Sequence, residues 1–227
     1  MSHFLSQQFA KIGLISQNRG MKHPNLNEEK KLWRKGYERV VGLDEAGRGP
    51  LAGPVIAAAA IIEKPALKKS RALLKKVRDS KKLSSKKREE IYQALKEIPE
   101  IEWGIGRVSE KVIDKINILE ATKLAMKRAV KNLEKKYSAA SFLILDGNFE
   151  INLDIPQKSV IAGDEKVLSC SLASIIAKVN RDRTMINYHK KYPQYVFSRH
   201  KGYSTKLHRD MIKRHGFCRI HRRSFTV

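Results

Sequence analysis

The sequence has little cysteine, few acidic residues and no long apolar run, and each shortage excludes a class of protein. Two Cys in 227 residues exclude a disulfide-stabilised scaffold, and a chain of this length can bury a core without such cross-links. The longest apolar run, Val55 to Ile62, has the length of a strand and is too short for a membrane helix. At 41% hydrophobic residues, the chain is also too apolar for a disordered polyelectrolyte.

The N-terminal part of the chain differs from the rest. Its first residues lack the charged and apolar segments of a secretion signal, so the expected compartment is the reducing cytoplasm. Residues 1–36 carry scattered apolar residues without a sustained period. We expect an extension there, either a flexible arm or one with a short helix around residues 4–14. Residues 37–227 are expected to form the main domain, including a basic helical C-terminal part from about residue 184.

The charge is strongly positive and unevenly distributed. There are 47 Lys and Arg against 23 Asp and Glu, a net charge of +24 that indicates a polyanionic partner, most simply nucleic acid. Residues 178–227 hold 14 basic residues against two acids, and residues 63–90 hold 12 against four. Both segments are candidate phosphate-facing surfaces, although the second could equally be a solvated helix face. Charge alone does not separate an enzyme from a binding module, because ribosomal proteins share it.

Hydrophobic periodicity predicts a mixed sheet with helices on its faces, an α/β fold. One predicted helix begins at a cap of Ser84 or Ser85 and is stopped by Pro99. The segment 109–136 could be one long helix or two consecutive helices. The predicted strands are 39–43, 54–62, 101–108, 142–145 and 159–162, and the predicted helices are 84–98, 109–136, 164–188 and 206–215.

Acidic residues follow three of the predicted strands, either directly or after a single glycine. Asp44 and Glu45 close the first strand, Asp146 closes the fourth and Asp164 the fifth. Open α/β sheets bind ligands at the carboxyl ends of their strands, so these carboxylates could converge. Four like charges in one pocket raise one another's pKa, a conflict that Mg²⁺ or Mn²⁺ would remove. With a basic surface, this predicts phosphodiester hydrolysis assisted by two ions about 3.5–4 Å apart.

Each acid also has a simpler interpretation. A single Asp after a strand is often a helix cap or a turn residue, and Asp164 fits that pattern well. Asp44 and Glu45 are adjacent, and adjacent residues of a strand point to opposite faces. They can share a site only if the strand twists or ends there, which Gly47 and Gly49 would allow.

The segment 44–54 is rich in glycine around a single arginine. Its glycine spacing is close to a dinucleotide-binding fingerprint, but Pro50, Pro54 and the strand that follows argue against that interpretation. Glycines on both sides of Arg48 would instead let the backbone approach a ligand closely, with its N–H groups exposed.

The segment 44–55, DEAGRGPLAGPV, resembles the signature of the ribonuclease HII family. The resemblance covers roughly residues 37–227 and leaves the first 36 residues outside. Further motifs agree with that family in the same order: DSKKLS at 79–84, INILEAT at 116–122, LDGN at 145–148, GDEK at 163–166, ASIIAK at 173–178, RDR at 181–183, HKGY at 200–203 and HRRSF at 221–225.

The resemblance implies a ribonuclease H-like fold and an endoribonuclease with Mg²⁺ or Mn²⁺ as cofactor. Its expected substrates are the RNA strand of RNA–DNA hybrids and single ribonucleotides within duplex DNA, the latter as part of ribonucleotide excision repair. It also implies roles for particular residues. The metal-binding catalytic tetrad would be Asp44, Glu45, Asp146 and Asp164. The loop that reads the ribose 2′-OH would be Gly47, Arg48 and Gly49, and Tyr203 would sense the RNA–DNA junction. Phosphates would be contacted by Ser80, Lys81 and Lys166.

Two alternatives remain open at this level. A non-catalytic nucleic-acid-binding module would explain the charge but not the acids at strand ends. An enzyme confined to long hybrids, as in the related type 3 branch, would not need the Gly-Arg-Gly loop. We expect no membrane association and a monomer. His215, Cys218 and His221 lack a fourth ligand at zinc-binding spacing and are interpreted as packing or phosphate-side residues.

Overall fold

The computed structural model describes residues 24–63, 77 and 83–226. Within them the chain forms a five-stranded mixed sheet of order β3-β2-β1-β4-β5. The antiparallel pairs are β1–β2 and β2–β3, and the parallel pairs are β1–β4 and β4–β5. The predicted α/β fold with a mixed sheet is confirmed. The strands are β1 (Val40–Ala46), β2 (Val55–Ile62), β3 (Ile101–Val108), β4 (Phe142–Asp146) and β5 (Gln157–Val160).

Helices cover both faces of this sheet. The helices are α1 (Asn27–Arg34), α2 (Ser85–Leu95), α3 (Glu110–Glu134), α4 (Gly163–Lys166), α5 (Leu168–Lys191), α6 (Phe197–His200) and α7 (Lys206–His215). Helix α3 packs on β2 and β3 on one face, and α5 packs on β1 and β2 on the other. Because β2 lies between the two layers, its residues Ala57–Ala60 are fully buried, and their short side chains let both helices approach. None of the helices in these ranges could span a membrane.

The boundaries of several elements differ from the prediction. Strand β5 ends at Val160 rather than at residue 162, because Ala162 adopts a left-handed conformation with φ 53°. The predicted helix from residue 164 is two helices, since Val167 between them is extended. In α3, Asn117 is non-helical at φ 63°, so the segment is two helical pieces joined at a kink. Ser84 caps α2 by accepting a hydrogen bond from Lys87 N at 3.3 Å.

Helix α1 was not predicted, whereas the helix considered at residues 4–14 lies outside the described residues. The helix is amphipathic, and Leu32 joins a small cluster with Val40, Ile144 and Val167. The side chain of Glu29 is buried and accepts hydrogen bonds at 2.9 Å from both the backbone N and the hydroxyl of Ser169. This carboxylate therefore ties the segment before β1 to the N-terminal turn of α5.

The C-terminal residues return to the segment between β1 and β2. Ala52 pairs with His221 in a β-bridge, and the pKa values of His221 and His208 are both lowered to about 4, chiefly by burial. Their Nε2 atoms lie 3.1 Å apart, and His221 Nδ1 accepts a hydrogen bond from the backbone N of Cys218. His221 is buried against the rings of Tyr195 and Phe197, and Cys218 packs on the cluster that contains these two rings.

Candidate active site

Parallel pairing of β1 and β4 brings two of the predicted acids together. Leu43 is in register with Leu145, so the next residues, Asp44 and Asp146, lie side by side at the carboxyl ends of neighbouring strands. The third acid arrives through a short turn after β5. Gly163 N donates a hydrogen bond to Asp146 Oδ1 at 2.8 Å, which fixes the start of α4 and places Asp164 beside this edge.

Three carboxylates form a compact group. Oxygen atoms of Asp44, Asp146 and Asp164 all lie within 4.8 Å of one another. Asp44 and Asp164 are buried, at 6% and 2% exposure, and Asp146 is partly exposed. The three side chains thus form a half-open pocket of oxygen ligands, which is the donor set that Mg²⁺ and Mn²⁺ favour.

Glu45, the fourth predicted ligand, lies at the edge of this group rather than within it. Strand β1 continues past it to Ala46, so its side chain leaves the backbone on the opposite side from Asp44. Its Oε1 is 3.5 Å from Nη1 of Arg48, and its Oε2 is buried without a hydrogen-bond partner among the described residues. A buried carboxylate oxygen without a donor is what a cation would satisfy, so Glu45 also fits a metal-binding role.

Electrostatic repulsion is concentrated at this edge of the sheet. Burial raises the pKa of Asp44 well above its ordinary value, and the charges of Glu45 and Asp146 raise it further. Hydrogen bonds from Ser174 and from the backbone N of Glu45 oppose the shift. Burial also raises the pKa of Glu45 to about 7, with Arg48 lowering it and Asp146 raising it. Without a cation, the pocket therefore resists full ionisation.

This arrangement predicts that the metal-free protein is stabilised when Asp44 loses its charge. Folding raises the pKa of these carboxyl groups above their unfolded-state pKa values of 3.8–4.5, so the protonated groups contribute fully to stability only at a pH below the unfolded-state pKa. That contribution is lost as the pH rises through the folded-state pKa, which is about 7 for Glu45. At about pH 8 without metal, we expect Asp44→Asn to melt higher than wild type by at least about 2–4 °C, the equivalent of ~1 kcal/mol for a chain of this size.

Melting curves between about pH 5 and pH 8 test this. The difference in melting temperature between Asp44→Asn and wild type should narrow as the pH falls. The buried histidines contribute equally to both proteins, so their contribution cancels in this difference. Added Mg²⁺ should raise the melting temperature of wild type more than that of the variant. A variant that melts lower than wild type at every pH would show that the carboxylates do not repel one another.

A groove of about 380 Å³ opens beside the carboxylates. Its lining carries the Gly-Arg-Gly loop on one side and two positive side chains, Arg88 and Lys178, on others. It combines positive charge that suits a phosphate backbone with one acidic side chain, Glu45, and with Ser174, which donates a hydrogen bond to Asp44. The lining residues are Glu45, Ala46, Gly47, Arg48, Gly49, Arg88, Ser174, Ile175, Lys178 and Tyr203.

Tyr203 stands at the rim of this groove with 41% of its surface exposed. Lys178 Nζ and the Arg181 guanidinium carbon each lie 5.5 Å from its ring centroid, within the range of cation–π attraction. Arg181 is fully buried and donates to the carbonyls of Lys201, Ala52 and Pro54. The exposed ring is thus supported from below by a rigid, charged side chain.

Of the three residues predicted to contact phosphates, only Lys166 lies among the described residues. Ser80 and Lys81 lie outside the described residues. Lys166 lies on α4 two residues after Asp164, and its Nζ donates to the carbonyl of Ile161 at 2.6 Å. It is exposed beside the acidic pocket, so its predicted role is compatible with its place.

Sequence reasoning did not single out Ser174 or Lys178 individually. Both lie on α5, four residues apart and therefore on one face of the helix, and both line the groove. A polar residue at position 174, within the otherwise apolar run that follows Ala173, was the signal available. The role of Ser174 becomes visible only in the fold, because α5 packs against β1 and brings the Ser174 hydroxyl to Asp44.

Known proteins resemble this chain over most of its length. The family model described as ribonuclease HII matches residues 41–227. The ribonuclease HII of Desulfotalea psychrophila is 48% identical over 214 residues, which is 94% of this chain and 91% of that protein. The ribonuclease HII of Syntrophus aciditrophicus is 47% identical over 199 residues, 88% of this chain and 89% of that protein.

A solved structure supports the same assignment. The ribonuclease H2 of Pyrococcus horikoshii OT3 superposes with a TM-score of 0.66 at 28% identity, covering 82% of this chain and 93% of that one. The fold, the carboxylate group and the sequence relatives agree. The chain therefore belongs to the ribonuclease HII family of metal-dependent endoribonucleases.

Proposed function

We propose that this protein cleaves the RNA strand of RNA–DNA hybrids and incises duplex DNA on the 5′ side of single embedded ribonucleotides, leaving 5′-phosphate and 3′-hydroxyl ends. The observation that carries the proposal is that the groove lined by the Gly-Arg-Gly loop also contains Ser174, which donates a hydrogen bond to Asp44 of the three-aspartate group, and Glu45, the neighbour of Asp44 in the chain. The carboxylates suited to cleavage chemistry and the backbone loop suited to inspecting a sugar therefore belong to adjoining parts of one site.

Asp44, Asp146 and Asp164 would hold the divalent ions, with Glu45 completing the set from the edge. Two such ions, when bound, supply a nucleophilic water and neutralise the charge that develops on the leaving 3′ oxygen. The protein's own contribution is to fix the carboxylates before substrate arrives. The hydrogen bonds from Ser174 to Asp44 and from Gly163 to Asp146 do this. Either Mg²⁺ or Mn²⁺ is compatible with ligands of this kind.

The Gly47-Arg48-Gly49 loop would distinguish ribose from deoxyribose. Only ribose carries a 2′-hydroxyl, which can both donate and accept a hydrogen bond. Gly49 has open space around it, since a Cβ placed there would meet no atom within 4 Å. A sugar could therefore approach the backbone closely at this point, as the resemblance to the family implies.

Tyr203 would pack on the deoxyribose next to the ribonucleotide and so sense the junction. Its exposed ring, which lines the groove and lies next to Arg181, is suited to packing against the C–H groups of a sugar. Lys166, and with it Ser80 and Lys81, would contact backbone phosphates. We propose further that the protein acts in the cytoplasm as a monomer.

An incision assay on three duplexes tests the proposal: one with a single ribonucleotide, one with an all-RNA strand against DNA, and one entirely of DNA. With Mg²⁺ or Mn²⁺ we expect cleavage of the first two, on the 5′ side of the ribonucleotide in the first, and none with EDTA.

The possible outcomes separate the alternatives. Cleavage of the all-RNA hybrid alone would favour an enzyme confined to long hybrids. Binding without cleavage in either metal would favour a non-catalytic nucleic-acid-binding module.

A further inference from the structure

Arg222 is a buried arginine of the C-terminal segment, and its side chain hydrogen-bonds to the backbone of the Gly-Arg-Gly loop. Only 1% of its surface is exposed. Its guanidinium donates to three backbone carbonyls rather than to a carboxylate: Nη2 to Gly47 at 2.6 Å, Nη1 to Arg48 at 2.7 Å and Nε to Gly53 at 2.9 Å. A buried cation is unfavourable without hydrogen-bond partners, and each of the three guanidinium nitrogens has one here, so these bonds fix the positions of the carbonyls closely.

The direction of those carbonyls determines the direction of the loop N–H groups. In a trans peptide the C=O and the following N–H point in opposite directions, and no described peptide bond is cis. The carbonyl of Gly47 points at Arg222, so the N–H of Arg48 points away from it. The carbonyl of Arg48 also points at Arg222, so the N–H of Gly49 points away as well. Two successive donors are thereby turned outward from the arginine.

The segment that carries Arg222 is itself anchored at several points. Arg222 N donates to Leu51 O at 2.8 Å, and Gly53 N donates to Ile220 O at 2.8 Å. On its other side, Asp114 of α3 accepts hydrogen bonds from Arg223 N and Ser224 N, both at 3.0 Å. Asp114 therefore clamps the chain just beyond Arg222 from a site that does not touch the loop.

We propose that Arg222 is a positioning residue that sets the ribose-reading loop in its recognition geometry before substrate binds, with the C-terminal segment 220–224 as its support. This rests on the proposed role of the Gly47-Arg48-Gly49 loop. Arg222 does not touch the nucleotide. It acts through the two outward N–H groups, and the loop contributes to discrimination because those donors do not have to be ordered during binding.

The test is a comparison of two dissociation constants in metal-free buffer, where no cleavage occurs. The probes are a duplex with one ribonucleotide and an all-DNA duplex of the same sequence. A purely structural role would lower the folded fraction and weaken both by the same factor, so their ratio, the ribose preference, reports on loop geometry. For Arg222→Lys, which keeps the charge but loses the planar fork, we expect the preference to fall about tenfold while binding to all-DNA duplex changes little.

Arg223→Lys is the matched control. Arg223 is the next residue in sequence, but its side chain is exposed and lies 4.9 Å from the Phe217 ring, away from the loop carbonyls. This variant should keep the wild-type preference. If Arg222→Lys does not fold, as judged by circular dichroism, then Asp114→Ala decides: releasing the clamp should lower the preference in the same direction.

The failures can be told apart. If wild type shows no ribose preference, the loop does not read ribose, and the proposed recognition fails together with the inference that rests on it. If wild type has the preference and a folded Arg222→Lys keeps it, the positioning role of Arg222 is wrong while the proposed function stands. The same conclusion follows from a folded Asp114→Ala with unchanged preference when Arg222→Lys cannot be obtained.

Discussion

Asp44→Asn should abolish cleavage and leave duplex binding intact. The substitution removes one oxygen ligand charge from the three-aspartate group, whose oxygens lie within 4.8 Å of one another. We expect kcat to fall by about 10³-fold or more, because the charge stabilisation supplied at the reacting phosphate depends on the full ligand set. Binding to a ribonucleotide-containing duplex should be equal or tighter, since repulsion between the pocket and the phosphates decreases.

Asp154→Asn is the control for this experiment. Asp154 is exposed on the connection between β4 and β5, so its loss changes the net charge by the same amount outside the pocket. Turnover and binding of the control should match wild type. A kcat for Asp44→Asn within about tenfold of wild type would be too small an effect for a catalytic ligand, and Asp44 would then lose that assignment.

Gly47→Ala should destabilise the protein strongly and Gly49→Ala should barely change its stability, although the two glycines are only two residues apart. Gly47 has φ +101°, and a Cβ added there would lie 2.0 Å from Nε of the buried Arg181 and 2.8 Å from the carbonyl O of Pro54. Neither neighbour can move easily, so we expect a loss of about 3 kcal/mol or more. Gly49 has free space and no positive φ, so Ala should change stability by less than about 0.5 kcal/mol.

Gly49→Ala should also affect substrate binding. If the loop approaches the sugar at Gly49, an added methyl group obstructs that approach, and Gly49→Ala should bind the ribonucleotide duplex more weakly at unchanged stability. Urea titration measures the stability, and fluorescence anisotropy with a labelled duplex measures the binding affinity. Gly49→Ala with wild-type affinity would place the sugar away from this residue.

The convergence of Asp44 and Asp146 could be predicted from the sequence because both acids end apolar strands. Parallel strands share a carboxyl edge, so neighbouring strands place such residues together. Asp164 was predicted both to follow a strand and to begin a helix; it lies in α4 after a left-handed Ala162, and its approach depends on the hydrogen bond from Gly163 to Asp146. The position of Glu45 at the edge follows from strand alternation, which sequence reasoning raised but could not resolve.

The buried arginines could not be identified as supports from the sequence. Arginine is normally exposed, and Arg181 and Arg222 occur in strongly basic segments that predict a phosphate-facing surface. Their burial depends on carbonyl groups from the loop before β2, which converge only when the C-terminal segment folds back. Nothing local in the sequence distinguishes Arg222 from the exposed Arg223 beside it.

Helix α1 illustrates another limit of local patterns. Eight residues are too few to form a stable helix by propensity alone. The helix is stabilised by burial of Leu32 and by the bonds between Glu29 and Ser169, which are 140 residues apart in the chain. With only Leu32 and Trp33 as apolar residues, the segment is too short to show a sustained hydrophobic period by itself.

The most direct test of the account is to locate manganese by anomalous diffraction in crystals of the wild-type protein grown with Mn²⁺. We expect an anomalous peak in contact with carboxylate oxygens of Asp44, Asp146 and Asp164, and none at this place in Asp44→Asn crystals at the same Mn²⁺ concentration. Manganese bound only elsewhere on the surface, or carboxylates too far apart to share an ion, would contradict the claim that this edge of the sheet is a metal-dependent catalytic centre.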